Sequence, residues 1–153
     1  TDAIEKLQLA PHGTFSILVS WGDDLLAEHE RWLVEQAGRP LAITHYPAEI
    51  KSFYMKATGD GRTVEAMDIL VPGMGELIGG STREDDLQRL EQRMVMAGMD
   101  PTEYQSYLDL RRYGSVPHAG FGLGFERLVA YISGTASVRD VISYPRASGL
   151  ISD

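Results

Sequence analysis

Gly120-x-Gly122-x-Gly124-x-Glu126-Arg127 sets three glycines at a spacing of two one residue ahead of an acid–base pair. Glycines at this spacing let a backbone lie against a flat or phosphate-bearing ligand without interference from Cβ atoms. A helix that follows them offers the ligand its positive N-terminal end. An arginine in the first turn of such a helix can stack its planar guanidinium on a base or hold a phosphate with two hydrogen bonds. The segment is not the dinucleotide fingerprint, because its third glycine falls one place early and no βαβ pattern surrounds it, nor is it a P-loop, which needs Gly-Lys-Ser/Thr. On the glycines alone a tight strand-to-helix turn is the simpler reading, and the Glu126-Arg127 pair narrows the gap.

A second group joins Asp68, Glu76, Gly79-Gly80-Ser81 and Arg83. On a β-hairpin that turns near Pro72-Gly73, Asp68 and Glu76 lie on facing strands, close enough to share one hard cation. Magnesium is commonly held this way, by one or two carboxylates together with substrate phosphates. Arg83, seven residues beyond Glu76, is suited to holding a carboxylate or amide oxygen. The competing account is a solvated hairpin with an incidental acid pair in an acid-rich chain. His12, His29, His45 and His118 show no zinc-binding spacing. His118 precedes the glycine-rich segment, where an imidazole could bond a phosphate or an amino acid, whereas His29 reads as a partly buried residue on a helix surface. The absence of cysteine removes a disulfide scaffold, a thiolate metal site and a cysteine nucleophile, and no Gly-x-Ser-x-Gly suggests a serine hydrolase.

The elements that must position these residues follow from patterning. The chain has 153 residues, 43% of them hydrophobic, the size of one globular domain with a real core. A net charge of −8 argues against a surface-wide polyanion-binding role, although a local basic site stays open. No basic-then-apolar leader and no run of roughly 18 apolar residues is present, so an intracellular protein without a membrane span is expected. Residues 14–19 make a short β-type run, and Asp24 to Glu35 carries Leu25, Leu26, His29, Trp32 and Leu33 at helical spacing. Leu41 to His45 is a second β-type run, and Ile50 to Lys56 holds an aromatic cluster around Phe53 and Tyr54. After a turn at Gly59-Asp60-Gly61, Thr63 to Val71 and Gly75 to Ile78 read as two antiparallel strands joined near Pro72-Gly73. Glu84 to Ala97 is helical on the face of Leu87, Leu90, Met94 and Ala97, with Arg93 late, where the helix dipole favours it. Asp100-Pro101 starts another helix that runs to Arg112. A last helix has Phe125, Leu128, Val129 and Ile132 as its inner stripe and stops at Gly134. Helices mixed with mainly antiparallel strands predict an α+β fold.

Gly120 to Arg127 with Leu128-Val129 resembles motif 3 (residues 120–129 here) of the class II aminoacyl-tRNA synthetases. Longer strings are more specific: Glu49-Ile50-Lys51-Ser52-Phe53-Tyr54-Met55, Met67-Asp68-Ile69-Leu70, Gly75-Glu76-Leu77-Ile78-Gly79-Gly80-Ser81, Arg111-Arg112-Tyr113-Gly114 and Arg139-Asp140-Val141-Ile142. With Pro117-His118 and Tyr144-Pro145-Arg146, they resemble the asparaginyl branch of the aspartyl/asparaginyl/lysyl subgroup, in order and spacing, from about Ser20 to Arg146. The resemblance implies an antiparallel sheet flanked by helices, the C-terminal half of the catalytic domain. Arg127 would stack on the adenine of ATP, with Gly124, Phe125 and Glu126 lining that site. Glu76 would hold Mg2+ and ATP phosphates with Asp68 as the second acid, and Arg83 would contact the substrate amino acid. Aspartyl relatives commonly have one residue fewer between the two acids, so Asp68 and Glu76, eight apart, favour asparagine.

The implied activity is that of a ligase: ATP-dependent activation of asparagine to the adenylate, then transfer to tRNA(Asn). The implied setting is a cytoplasmic homodimer in the full-length enzyme. The family's anticodon-binding domain, motif 1 and motif 2 are not in residues 1–153, so the expectation is a C-terminal catalytic portion inactive by itself. Alternatives are an aspartyl-tRNA synthetase, a tRNA-independent asparagine synthetase-like paralogue and a non-catalytic binding module. Ala147 to Asp153 fits the family less well and reads as a variable tail.

Overall fold

The hairpin anticipated at Pro72-Gly73 is the centre of the architecture. In a computed structural model, described over residues 2–146, β2 (Ala66–Val71) runs into β3 (Gly75–Thr82) through a turn closed by the Met74 N–H to the Val71 carbonyl, with Gly73 at φ +76°. β1 (Leu41–Thr44) pairs antiparallel with β2, and β4 (Ala119–Leu123) pairs antiparallel with β3. The sheet order is therefore β1-β2-β3-β4, all antiparallel. Five helices accompany it among the described residues: α1 (Asp2–Gln8), α2 (Ala27–Ala37), α3 (Leu87–Met96), α4 (Gln105–Arg112) and α5 (Phe125–Ser133). The α+β arrangement, an antiparallel sheet flanked by helices, is the expected one. The tail Ala147 to Asp153 lies outside the described residues.

Two apolar clusters hold these parts together. Leu33 and Val34 of α2 meet Ile43, Val64 and Leu70 from the sheet side, with Leu7 of α1 and Val19. Leu90 and Met94 of α3 close on Leu108 of α4, with Phe53, Tyr54 and Tyr107 packed around them. Fully buried Leu70, Leu90 and Leu108 each contribute about 1.5–3 kcal/mol from removing apolar surface from water. No helix among the described residues is long and apolar enough to cross a membrane.

Local signals set most boundaries. Asp86 caps α3 by accepting the Arg89 N–H at 2.9 Å, so the helix starts at Leu87, later than the acidic run suggested. Asp100 accepts the Thr102 N–H at 2.9 Å, and Pro101 opens a 3-10 turn (Pro101–Tyr104) that leads into α4.

Three expectations need correction. Residues 14–19 form no strand, because side chains of α2 take their backbone groups. Glu28 accepts from the Ser16 N–H at 3.0 Å and the Ile17 N–H at 3.3 Å, and the His29 Nε2 lies 2.9 Å from the Ile17 carbonyl oxygen. The Ser16 hydroxyl, at 2.6 Å, is the foremost of the contacts that hold the Glu28 carboxyl below its usual range. His29 is accordingly buried, at 1% exposure, and its Nδ1 accepts the Leu26 N–H. The third correction concerns α5. Ala130 is buried, while Phe125 (67%) and Ile132 (75%) of the expected inner stripe are exposed. Periodicity picks out the apolar side of a helix, but burial depends on what stands opposite, and here α5 packs mainly on the turn Val138–Val141.

Candidate functional site

A single extra residue in β3 builds the site. Asp68 pairs with Gly79 and Ile69 with Ile78, but Leu70 pairs with Glu76, leaving Leu77 as a bulge. In an unbroken ladder Glu76 would face Val71 and point to the opposite side of the sheet from Asp68. The bulge returns it to the Asp68 side, because one added residue reverses the alternation. The result is visible at Gly79, where a methyl group would lie 2.7 Å from Glu76 Oε1 and 3.2 Å from Asp68 Oδ1. Both carboxylates thus converge above a residue that has no side chain to obstruct them.

Arg127, in the first turn of α5, reaches back across this edge. Its Nη1 donates to the Glu76 carbonyl at 2.5 Å, and its aliphatic stem lies along the side-chain-free face of Gly124. The Gly124 N–H donates to the Leu77 carbonyl at 3.0 Å, which ties the start of α5 to the bulge. Between them is an open groove of about 350 Å³ whose walls include Glu76, Gly79, Gly122, Gly124 and Arg127. Its shape suits a flat ring lying on glycine backbone with a guanidinium plane against it. Phe125 and Glu126 adjoin the groove in sequence, are exposed, and do not line it.

A second pocket of about 300 Å³ shares Glu76, Gly79 and Gly122 with the groove and adds Lys51, Asp68 and Arg83. Arg83 is held from four directions. Its backbone N–H donates to the His118 carbonyl at 2.9 Å, and its Nη1 donates to the Ser81 hydroxyl at 3.0 Å. The guanidinium carbon sits 4.8 Å from the centre of the Tyr54 ring, and the group rests on Gly120, where a methyl would come within 2.9 Å of Nη2. His118 therefore supports Arg83 through its backbone, while its exposed ring has Nδ1 2.8 Å from the Val116 carbonyl oxygen.

Electrostatics single out residues that the sequence patterns did not. Lys51 Nζ donates to Asp68 Oδ2 at 2.9 Å and lies 3.8 Å from the centre of the Tyr46 ring. The Tyr46 hydroxyl is buried without a hydrogen-bond partner among the described residues, and burial followed by the Asp68 charge raises its pKa, keeping it protonated. Glu30 of α2 is pushed up to about 7, by burial first and then by the charges of Glu76, Asp68 and Asp24, with Lys51 opposing. Glu30 did leave a trace in the sequence: it falls three and four residues before buried Leu33 and Val34, a carboxylate on an apolar stripe. Lys51 stood inside a recognisable string, but nothing local assigned it a role.

No group of three or more His, Cys, Asp or Glu able to hold a metal occurs among the described residues. Glu76 and Asp68, the latter with one oxygen paired to Lys51, are two converging carboxylates of the type that binds a hard cation.

Comparison with known proteins agrees with this geometry. The family model described as tRNA synthetases class II (D, K and N) matches residues 1–148. An asparagine–tRNA ligase from Xylella fastidiosa is 58% identical over 150 residues, which are 97% of this chain and 32% of that protein. The crystal structure of asparaginyl-tRNA synthetase from Pyrococcus horikoshii complexed with asparaginyl-adenylate superposes with a TM-score of 0.89 at 48% identity, covering 99% of this chain and 34% of that one. An aspartyl tRNA synthetase from Entamoeba histolytica reaches a TM-score of 0.86 at 29% identity, covering 95% and 30%. The chain thus spans about a third of the length of the curated relatives it matches. A groove floored by glycine and crossed by Arg127, two acids brought to one face by a bulge, and a family match over nearly all of its length show that this chain belongs to the class II tRNA synthetases of the D, K and N group.

Proposed function

We propose that this chain is the C-terminal catalytic portion of an asparagine–tRNA ligase, active as part of the complete enzyme. The observation that carries the reading is the shared wall of Glu76, Gly79 and Gly122, which sets the groove under Arg127 and the pocket beside Arg83 side by side. A nucleotide in the first and an amino acid in the second would meet at Glu76. The higher identity to the asparaginyl than to the aspartyl structure, 48% against 29%, supports asparagine as the amino acid.

The reaction proceeds by displacement at phosphorus. A carboxylate oxygen of asparagine attacks the α-phosphorus of ATP, the bond to the bridging oxygen breaks, and pyrophosphate leaves with that electron pair. A terminal hydroxyl of tRNA(Asn) then attacks the activated carbonyl, and AMP departs. No side-chain nucleophile takes part, so the chain's contribution is orientation and charge. Arg127 clamps the adenine against the glycine floor with its guanidinium plane, and Arg83, locked by Ser81, Tyr54 and Gly120, orients the amino-acid side chain. Glu76, with Asp68 as the second acid, would hold Mg2+. That ion would supply neutralisation of the phosphate charge. The complete enzyme is proposed to work as a cytoplasmic homodimer.

The test is asparagine-dependent ATP–pyrophosphate exchange by the complete enzyme, followed by charging of tRNA(Asn). Asparagine should support exchange at least about 100-fold better than aspartate in kcat/KM, a floor below the roughly 10⁴-fold that a site built to hydrogen-bond a polar group reaches. Equal or greater exchange with aspartate would refute the assignment.

A further inference from the structure

The amino-acid pocket is walled by two cations, Lys51 and Arg83, and two acids, Asp68 and Glu76. Their formal charges cancel, but the pairing is uneven. Lys51 and Asp68 form a direct ion pair at 2.9 Å with side-chain exposures of 18% and 11%, and the ammonium is also seated on the face of Tyr46. Arg83 has no carboxylate partner among the described residues, only the Ser81 hydroxyl and the Tyr54 ring. The second oxygen of Asp68, Oδ1, points with Glu76 Oε1 over Gly79. Asp68 thus consumes the charge of Lys51 and keeps a negative edge toward the pocket.

A partly desolvated pocket penalises any charge it cannot counter, and like charges placed together cost most. Mg2+ held at Glu76 would spend its charge on the ATP phosphates that share it, so among the side chains a neutral amide leaves this pocket balanced, whereas a carboxylate makes it net negative beside two acids. Specificity is a difference of affinities, and repulsion of the competitor serves it as well as attraction of the correct ligand. We infer that the Lys51–Asp68 ion pair is a specificity device that excludes an aspartate side chain by withholding the Lys51 ammonium from it. The inference rests on the amino-acid-activating reading above.

The test uses the complete synthetase carrying this chain and reads the ratio of kcat/KM for aspartate to that for asparagine in ATP–pyrophosphate exchange. Effects on ATP or magnesium common to both amino acids cancel in that ratio. Asp68→Asn keeps the shape, removes the charge and frees Lys51, so the ratio should rise about tenfold or more. Lys51→Met leaves Asp68 unopposed and should lower it, while Lys51→Arg, which keeps the charge, should hold it within about threefold of the parent. Where a variant turns over too slowly, competition between the sulfamoyl analogues of asparaginyl- and aspartyl-adenylate gives the same ratio by binding alone. A ratio that stays put in both charge-removing variants, or moves the same way in both, overturns the inference while leaving the parent's activity as proposed. A parent enzyme that activates neither amino acid overturns the functional reading and this inference with it.

Discussion

Three glycines of the site meet different neighbours, so one substitution, Gly→Ala, should have three different outcomes. At Gly80 an added methyl would lie 2.9 Å from the Cβ of Phe121, 3.1 Å from the Gly120 carbonyl oxygen and 3.4 Å from the Phe121 Cα. These are two main-chain atoms of β4 and a Cβ fixed directly to it, and comfortable carbon contacts begin at ~3.5 Å, so the strand itself must retreat. Overpacking of this kind costs about 1–3 kcal/mol, which is roughly a 5- to 150-fold increase in the opening constant of the β3–β4 ladder. At Gly79 the methyl meets only the mobile ends of Glu76 and Asp68, at 2.7 and 3.2 Å. The ladder should hold there while the two acids splay and magnesium-dependent ATP use weakens. At Gly122 nothing lies within 4 Å, so the fold should be untouched and the methyl should intrude on the groove, raising KM for ATP. Hydrogen exchange read by mass spectrometry over residues 75–82 and 119–123 of the complete enzyme reports ladder opening, and pyrophosphate exchange reports ATP use. Parental protection in Gly80→Ala, or faster exchange across both strands in Gly122→Ala, would refute this account of how backbone proximity builds the site.

Arg127→Ala should raise KM for ATP about 5- to 30-fold, the loss of one guanidinium–ring contact worth about 1–2 kcal/mol, and should change KM for asparagine little; Arg127→Lys should recover only part, since the ammonium has no plane to stack. Unchanged ATP kinetics in Arg127→Ala would remove that role. Glu30 has a folded pKa of about 7 against an ordinary 4.5, so the folded state holds the proton more tightly and the parent loses stability as pH rises between those values. Glu30→Gln should therefore stabilise by about 1–2 kcal/mol at pH 8, after discounting for partial solvent access, and by almost nothing near pH 4.5. Melting curves that show the same gain at both pH values would contradict this. Arg93 of α3 donates to the carbonyls of Met55, Ala48 and Ser52, stapling the segment that carries Lys51 and Tyr54. Arg93→Met should cost about 1–3 kcal/mol locally and speed amide exchange over residues 48–56, an effect whose absence would show the staple to be dispensable.

Features fixed within a few residues were legible from the chain itself. Asp100 caps where its type predicts, Gly134 ends α5 in the left-handed conformation, and Pro72-Gly73 turns the hairpin, because each acts on backbone groups one to four residues away, whereas the start of α3 falls at the Asp86 cap and not at Glu84. The membership of the candidate site was legible to the same extent: Asp68, Glu76, Arg83, Gly124 and Arg127 lie in contiguous motifs, and the fold gathers them around two adjoining pockets. Misreadings arose wherever a distant partner decided the outcome. Residues 14–19 have strand-forming side chains, yet Glu28 and His29 captured their backbone groups, and the stripe on α5 names an apolar face without naming what covers it.

The amino-acid order thus determined the elements, their caps and the inventory of reactive groups, all set by short-range sterics and hydrogen bonding. Tertiary structure alone decided that a bulge at Leu77 turns Glu76 toward Asp68, that Lys51 cancels one acid, and that Glu30 crowds the other. A one-residue slip in register reverses a side chain's face without altering the composition of the strand, and charges couple through space across 17 residues between Lys51 and Asp68 and 46 between Glu30 and Glu76. Neither relation is written in local spacing, so both become definite only when the sheet and α2 close on one another.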